Sequence, residues 1–117
     1  MRRAVELVPG VHLSSTQTDD WQRDSDPPGE VHWLCEDAEI AAGLWRPLAG
    51  VTPDRVQWTL PGREAILVLE GQARIEIEGG PTLELEPGSV ASLPAGARTT
   101  WQVTTDFKEF WVLDVPA

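Results

Sequence analysis

Tyrosine is absent from this 117-residue sequence, and cysteine and methionine occur once each. A lone Cys35 excludes an internal disulfide and fits a reducing compartment, where a small buried apolar role is expected of it. Histidine occurs only as His12 and His32, both in the amino-terminal third, and two distant imidazoles do not make a metal site. Basic residues are scarce, 9 against 19 acidic ones, and the net charge of -10 argues against nucleic acid or an anionic membrane as a partner. Long apolar runs are missing too. Nothing could span a bilayer, and Glu6, Pro9 and Gly10 interrupt the segment after Arg2 and Arg3, which excludes a signal-peptide core. The expectation is one domain over residues 1–117, soluble and cytoplasmic, because this length supports one sizeable core but not two.

Against these absences stand six tryptophans. Each indole buries about 150–250 Å² and wants a partner for its N–H, so six are difficult to hide in one small core. Some are expected to line a pocket or a subunit interface; the plainer reading is that they cover the ends of the fold.

The stretch from Glu64 to Gly96 reads as short strands punctuated by Gly71, Gly79, Gly80, Gly88 and Gly96, with Pro87 and Pro94 where a regular ladder must stop. A loop of Gly79, Gly80 and Pro81 would set Ile77 opposite Leu83, Ile75 opposite Leu85 and Arg74 opposite Glu86, keeping apolar and charged faces apart. A two-residue loop would mix them. The run Ala65–Leu69 has strand length and the composition of a strand covered on both faces. Further strands are expected at Val31–Leu34, Arg55–Leu60, Val90–Leu93, Thr99–Thr104 and Phe107–Val115, with Val5–Leu13 able to add one more. Around Ile40–Arg46 the Ala and Glu content suits a helix, but Gly43 and Pro47 would confine it to two turns, and a strand is preferred. Ser14–Glu30 has no period and is rich in Asp, Ser, Pro and Gly. It reads as a loop anchored by Trp21, long enough to be a lid or an arm reaching another subunit. Many short strands without a convincing helix predict an antiparallel β-sandwich or barrel.

The spacing of the punctuation resembles the cupin superfamily. Glu64, six residues and Gly71 match the second half of the first cupin motif; Gly88, five residues, Pro94, one residue and Gly96 match the start of the second. Gly43, Trp45, Gly50, Trp101, Val103 and Lys108–Phe110 look like the short single-domain group of ethanolamine-utilisation and ureidoglycine-type cupins, over roughly residues 30–114. The resemblance implies an all-β antiparallel cupin barrel with a jelly-roll topology, preceded by an arm over residues 1–30. It also implies pairing by sheet edges, so a homodimer is expected.

A metal-binding cupin uses two histidines and a glutamate from the first motif and a histidine from the second. Carried over, the glutamate is Glu64. The paired histidines fall at Gln57 and Thr59, or at Trp58 and Leu60 if the gap is one shorter, and the last falls at Thr99. None is histidine, so no metal and no other cofactor is expected. In the resemblance Thr99 faces the barrel interior; alternation then sends Trp101 and Val103 the same way, and Glu64, Ile66 and Val68 inward together. A carboxylate among such neighbours would hold its proton more tightly and suit a general acid or base. Alternatively, Glu64 is a strand-end carboxylate paired with Arg63, Arg55 or Lys108. Lys108 could bind an anionic ligand or be a solvated charge, and Trp45 and Trp58 could stack on a planar ligand. The expected site is therefore Glu64 with Trp45, Gln57, Trp58, Thr99, Trp101 and Lys108. Three functions fit: a metal-independent pocket for a small polar or anionic metabolite; a lyase, isomerase or hydrolase that moves a proton through Glu64; or an accessory module presenting tryptophans to a partner protein. Fold alone does not choose among them.

Overall fold

In the computed structural model, which describes residues 4–114, the chain is built from strands and turns. Arg2, Arg3 and Val115 lie outside the described residues. The strands are β1 (Val5–Val8), β2 (Val11–Leu13), β3 (Gln22–Ser25), β4 (Pro28–Glu36), β5 (Ile40–Arg46), β6 (Val56–Thr59), β7 (Glu64–Glu70), β8 (Ala73–Ile77), β9 (Thr82–Leu85), β10 (Val90–Leu93), β11 (Arg98–Val103) and β12 (Lys108–Asp114). A six-stranded sheet, ordered β10-β7-β12-β5-β4-β3, packs on a four-stranded sheet, ordered β6-β11-β8-β9, and β1 and β2 form a separate hairpin. Every pairing is antiparallel.

The core lies between the two sheets, where Leu60, Val68, Ile75, Leu93 and Phe107 are almost completely buried. Their arrangement follows strand alternation. Glu64, Ile66 and Val68 face inward from β7, and Thr99 and Trp101 from β11, as expected. The segment Ile40–Arg46 is indeed a strand, held between β4 and β12.

Three local expectations are corrected. The β8–β9 loop begins one residue early: the Gly80 N–H donates to the Ile77 carbonyl (2.9 Å), Gly79 takes φ +73°, and the Ile77 N–H donates to the Pro81 carbonyl. Ile75 therefore faces Leu83, Ala73 faces Leu85 and Arg74 faces Glu84. The turn places its left-handed residue at Gly79, where a Cβ would be strained, and Pro81 joins the ladder through its carbonyl, for which it needs no N–H. The slip is two residues, so the apolar faces are kept.

The run Ala65–Leu69 is not covered on both sides. Ala65 is exposed, and Leu67 and Leu69 are half-buried on the outer face of the six-stranded sheet. Nor is Ser14–Glu30 one loop. Gln22–Ser25 pairs with Pro28–Val31 through a tight turn at Asp26 and Pro27. This strand escapes detection because it is an edge with little buried surface, so its composition is that of a loop.

The rest of the amino-terminal segment is tied to the outer face of the six-stranded sheet. The Lys108 ammonium donates to the Thr16 carbonyl (2.8 Å), while the buried His32 ring lies 2.7 Å from both the Ser14 hydroxyl and the Asp20 carbonyl. A carbonyl only accepts, so His32 Nδ1 carries a proton, and in the neutral ring Nε2 then accepts from Ser14. Trp21 is the anchor expected of it: its indole N–H donates to the Thr18 carbonyl, its ring tilts against His32, and the Arg46 guanidinium sits 4.0 Å above it.

Candidate functional site

One end of the space between the sheets is an apolar cavity of about 120 Å³. It is a little smaller than the ~150 Å³ engineered cavity that accepts benzene. Five of the six tryptophans line it: Trp33 from β4, Trp45 from β5, Trp58 from β6, Trp101 from β11 and Trp111 from β12. Trp33 and Trp111 meet edge to face with ring centroids 5.5 Å apart. Val31, Val56 and Leu113 fill the gaps, and Asp24, Asp26 and Pro27 of the β3–β4 hairpin form a rim.

The fold makes room for the indoles at particular places. A Cβ on Gly29 would stand 2.8 Å from Trp45 Nε1, so only glycine lets β4 pass so close over that ring. The cost is a buried Trp45 N–H without a hydrogen-bond partner. Trp101 is secured differently, because its N–H donates to the Thr99 hydroxyl (2.8 Å), which in turn donates to the Trp58 carbonyl (2.6 Å). Thr99 thus fixes the orientation of one cavity wall rather than lining the cavity. Changing Thr99 to Val keeps the shape, strands the Trp101 N–H, and is expected to cost about 1–2 kcal/mol in chemical denaturation.

Two carboxyls enter this apolar space. Glu64 faces inward from β7, and Glu109 faces inward from β12 with one oxygen buried and unpartnered. In the ladder Glu109 pairs with Val68 and Leu113 with Glu64, so Trp111 lies between the two acids. A register shift between Lys108 and Glu109 lets Lys108 pair with Glu70 while Glu109 takes the inward position. Burial pushes the Glu64 carboxyl from its ordinary value of 4.5 up to about 7. Glu109 is pushed well above the ordinary range, chiefly by burial and further by the neighbouring Glu64.

The surface cations considered as partners for the buried Glu64 are engaged elsewhere. Arg63 donates to Ser92, Arg55 pairs with Glu76, and the Lys108 ammonium lies 2.7 Å from Glu70. Of the seven expected site residues, Glu64, Trp45, Trp58 and Trp101 line the cavity, and Thr99 supports it. Lys108 and Gln57 do not belong to it: Lys108 ties the amino-terminal segment to β12, and Gln57 is exposed on the far side of β6. Sequence reasoning missed Glu109, Trp33, Trp111, Asp24 and Asp26. The signal for Glu109 was weak, since both faces of β12 carry large apolar residues and alternation could not say which was inner.

Of the two alternatives for the paired family histidines, the inward pair is Trp58 and Leu60. An indole and an isobutyl group cannot ligate a metal, and the Thr99 hydroxyl is spent on Trp101 and Trp58. His32 lies on the outer face and His12 on the exposed hairpin β1–β2. Among the described residues no three His, Cys, Asp or Glu side chains converge as ligands, so this donor set does not fit a first-row transition metal.

The cavity sits in a scaffold with known relatives. The chain superposes on a putative ethanolamine utilization protein Q from Salmonella typhimurium LT2 with a TM-score of 0.74 at 22% identity, over 97% of this chain and 93% of that one. The Clostridium difficile EutQ protein gives 0.70 at 19% identity, over 97% and 94%. KdgF from Halomonas sp. gives 0.64 at 18% identity, over 84% and 87%. At such identities these likenesses establish the fold alone. No curated protein matches the sequence. A family model for the EutQ-like cupin domain matches residues 36–110, which run from β5 into the start of β12 and carry Glu64, Glu109 and three of the five cavity tryptophans, and the chain therefore belongs to the EutQ-like cupins.

Proposed function

We propose that this protein binds a small metabolite in the tryptophan-lined cavity without a metal, holding it through Glu64 and Glu109. One observation carries the reading: a buried Glu109 oxygen has no hydrogen-bond partner in a cavity walled mainly by apolar side chains. An unsatisfied buried polar atom costs about 1–3 kcal/mol, and a bound ligand group would relieve that cost. The cavity limits the ligand to roughly the size of benzene. No Lys, Arg or His lines it, so the anionic ligands allowed by the sequence are disfavoured and a polar or cationic one is preferred.

The second reading, a proton-transfer enzyme, draws support from Glu64. A carboxyl with a pKa near 7 divides between acid and base at neutral pH, as general catalysis requires. We also take the protein to act as a cytoplasmic homodimer. Leu7, Val8, Val11 and Leu13 on the β1–β2 hairpin and Val90 on the outer sheet face are exposed apolar residues of the kind that a partner covers. A monomer by light scattering at high concentration would remove that part.

The indole N–H resonances supply the test of binding. Trp21 lies outside the cavity and serves as an internal control. In a nitrogen-15 NMR screen of small metabolites, a true ligand should shift several of the five cavity resonances and leave Trp21 in place. Glu109→Gln should weaken that response, whereas Lys108→Ala should not. A screen in which nothing moves, or only Trp21 moves, would sink the pocket reading.

A further inference from the structure

We infer that the cavity is a cage for a small methylated ammonium or comparable onium cation, with the indole faces surrounding the cationic group and the Glu109 and Glu64 carboxyls supplying the counter-charge. This rests on the reading of the cavity as a ligand site and names the ligand's chemical class.

The indole walls come first. Tryptophan presents the strongest aromatic face to a cation, and desolvated contacts of this type are worth more than exposed ones. Five indoles around about 120 Å³ leave room for a group of about five to seven heavy atoms, the size of a trialkylammonium head. A neutral aromatic ligand would pack against the same walls. It would not explain why two acids are placed among them.

Glu109 provides the second, independent observation. It is buried, its free oxygen has no partner, and no basic side chain lines the cavity to neutralise it. Lys108, next to Glu109 in the chain, is engaged with Glu70, and Arg46, next to the cavity-lining Trp45, is engaged with Glu30 and the Trp21 ring. A buried acid that lacks a protein counter-ion but shares its space with five indole rings matches a cation brought by the ligand. Asp24 and Asp26 on the rim add negative potential where such a ligand would enter.

A methylated ammonium suits the site better than a primary amine. A primary ammonium carries three N–H donors and needs an acceptor for each, whereas the walls offer mainly apolar surface. Quaternary nitrogen has no donor to satisfy, so indole contact and a nearby carboxylate suffice.

The decisive comparison uses the unaltered protein and two ligands of equal shape. Choline and its neutral carbon analogue 3,3-dimethylbutan-1-ol differ in replacing a charged nitrogen by carbon. Titrated against the indole N–H resonances, choline should bind at least about tenfold more tightly, with tetramethylammonium shifting the same resonances. Binding should also release protons, since a cation favours ionised carboxyls. The titratable groups facing the cavity are Glu64 from β7, Glu109 from β12, Asp24 from β3 and Asp26 from the following turn; β4, β5, β6 and β11 contribute none among the lining residues. Equal or tighter binding of the neutral analogue would overturn the cation assignment while leaving a working ligand pocket. If neither choline nor tetramethylammonium moves a cavity resonance, the assignment also fails, and the metabolite screen then decides separately whether the cavity binds anything.

Discussion

Raising the pH from about 5 to about 8 is expected to cost the protein stability on the order of 3 kcal/mol through Glu64 alone, since burial raises its carboxyl from 4.5 to about 7. The direction follows from proton counting. Between those two values the unfolded chain has lost the Glu64 proton and the folded chain retains it, so each rise in pH favours unfolding. The stabilisation by the buried neutral acid is fully present below about pH 4.5 and is lost as the pH climbs through about 7. Glu109, also pushed well above the ordinary range by burial and by Glu64, acts in the same direction. Asp37 acts in the opposite sense and only in acid, because backbone N–H groups of Glu39 and Ile40 hold its carboxyl below the usual range. Urea denaturation across this range gives the slope, and Glu64→Gln should flatten it while matching the parent near pH 4. A parent protein whose stability stays level from pH 5 to pH 8 would mean that Glu64 is solvated.

Glu109→Met should make the protein more stable by about 1–3 kcal/mol, with the gain largest at alkaline pH. The side chain occupies an apolar cavity, one of its oxygens has no partner, and Glu64 opposes its ionisation. Replacing it by an apolar chain of similar length removes an unsatisfied acceptor and the penalty of a buried charge without opening a void. The same change should abolish ligand response in the indole spectrum. Stability gained together with binding lost is the mark of a residue kept for function rather than for the fold. A destabilised variant that still binds would assign Glu109 to the scaffold instead.

Much of the architecture was legible because short-range rules decide it. The Gly and Pro punctuation and the alternation in Glu64–Val68 and Thr99–Val103 led to an antiparallel barrel with Glu64 and Trp101 facing inward, and the structure has both. Errors arose where alternation has no leverage. The β3 edge strand buries too little to differ from a loop, and the β8–β9 register turned on which glycine takes the left-handed position. Lys108 and Glu109 are adjacent charges between apolar neighbours, and a single irregularity in the ladder decides which one enters the barrel.

The sequence by itself determined the strand-rich fold, the lack of histidines at the family's ligand positions and the inward Glu64, because each depends on residue type and local period. Only the tertiary structure decided that five tryptophans from five strands share one cavity, that Glu109 joins Glu64 there, and that Lys108 is spent on Glu70 and the amino-terminal segment. Those facts depend on pairings between residues far apart in the chain. Cross-strand register and burial set them, and neither is encoded in any one stretch of sequence.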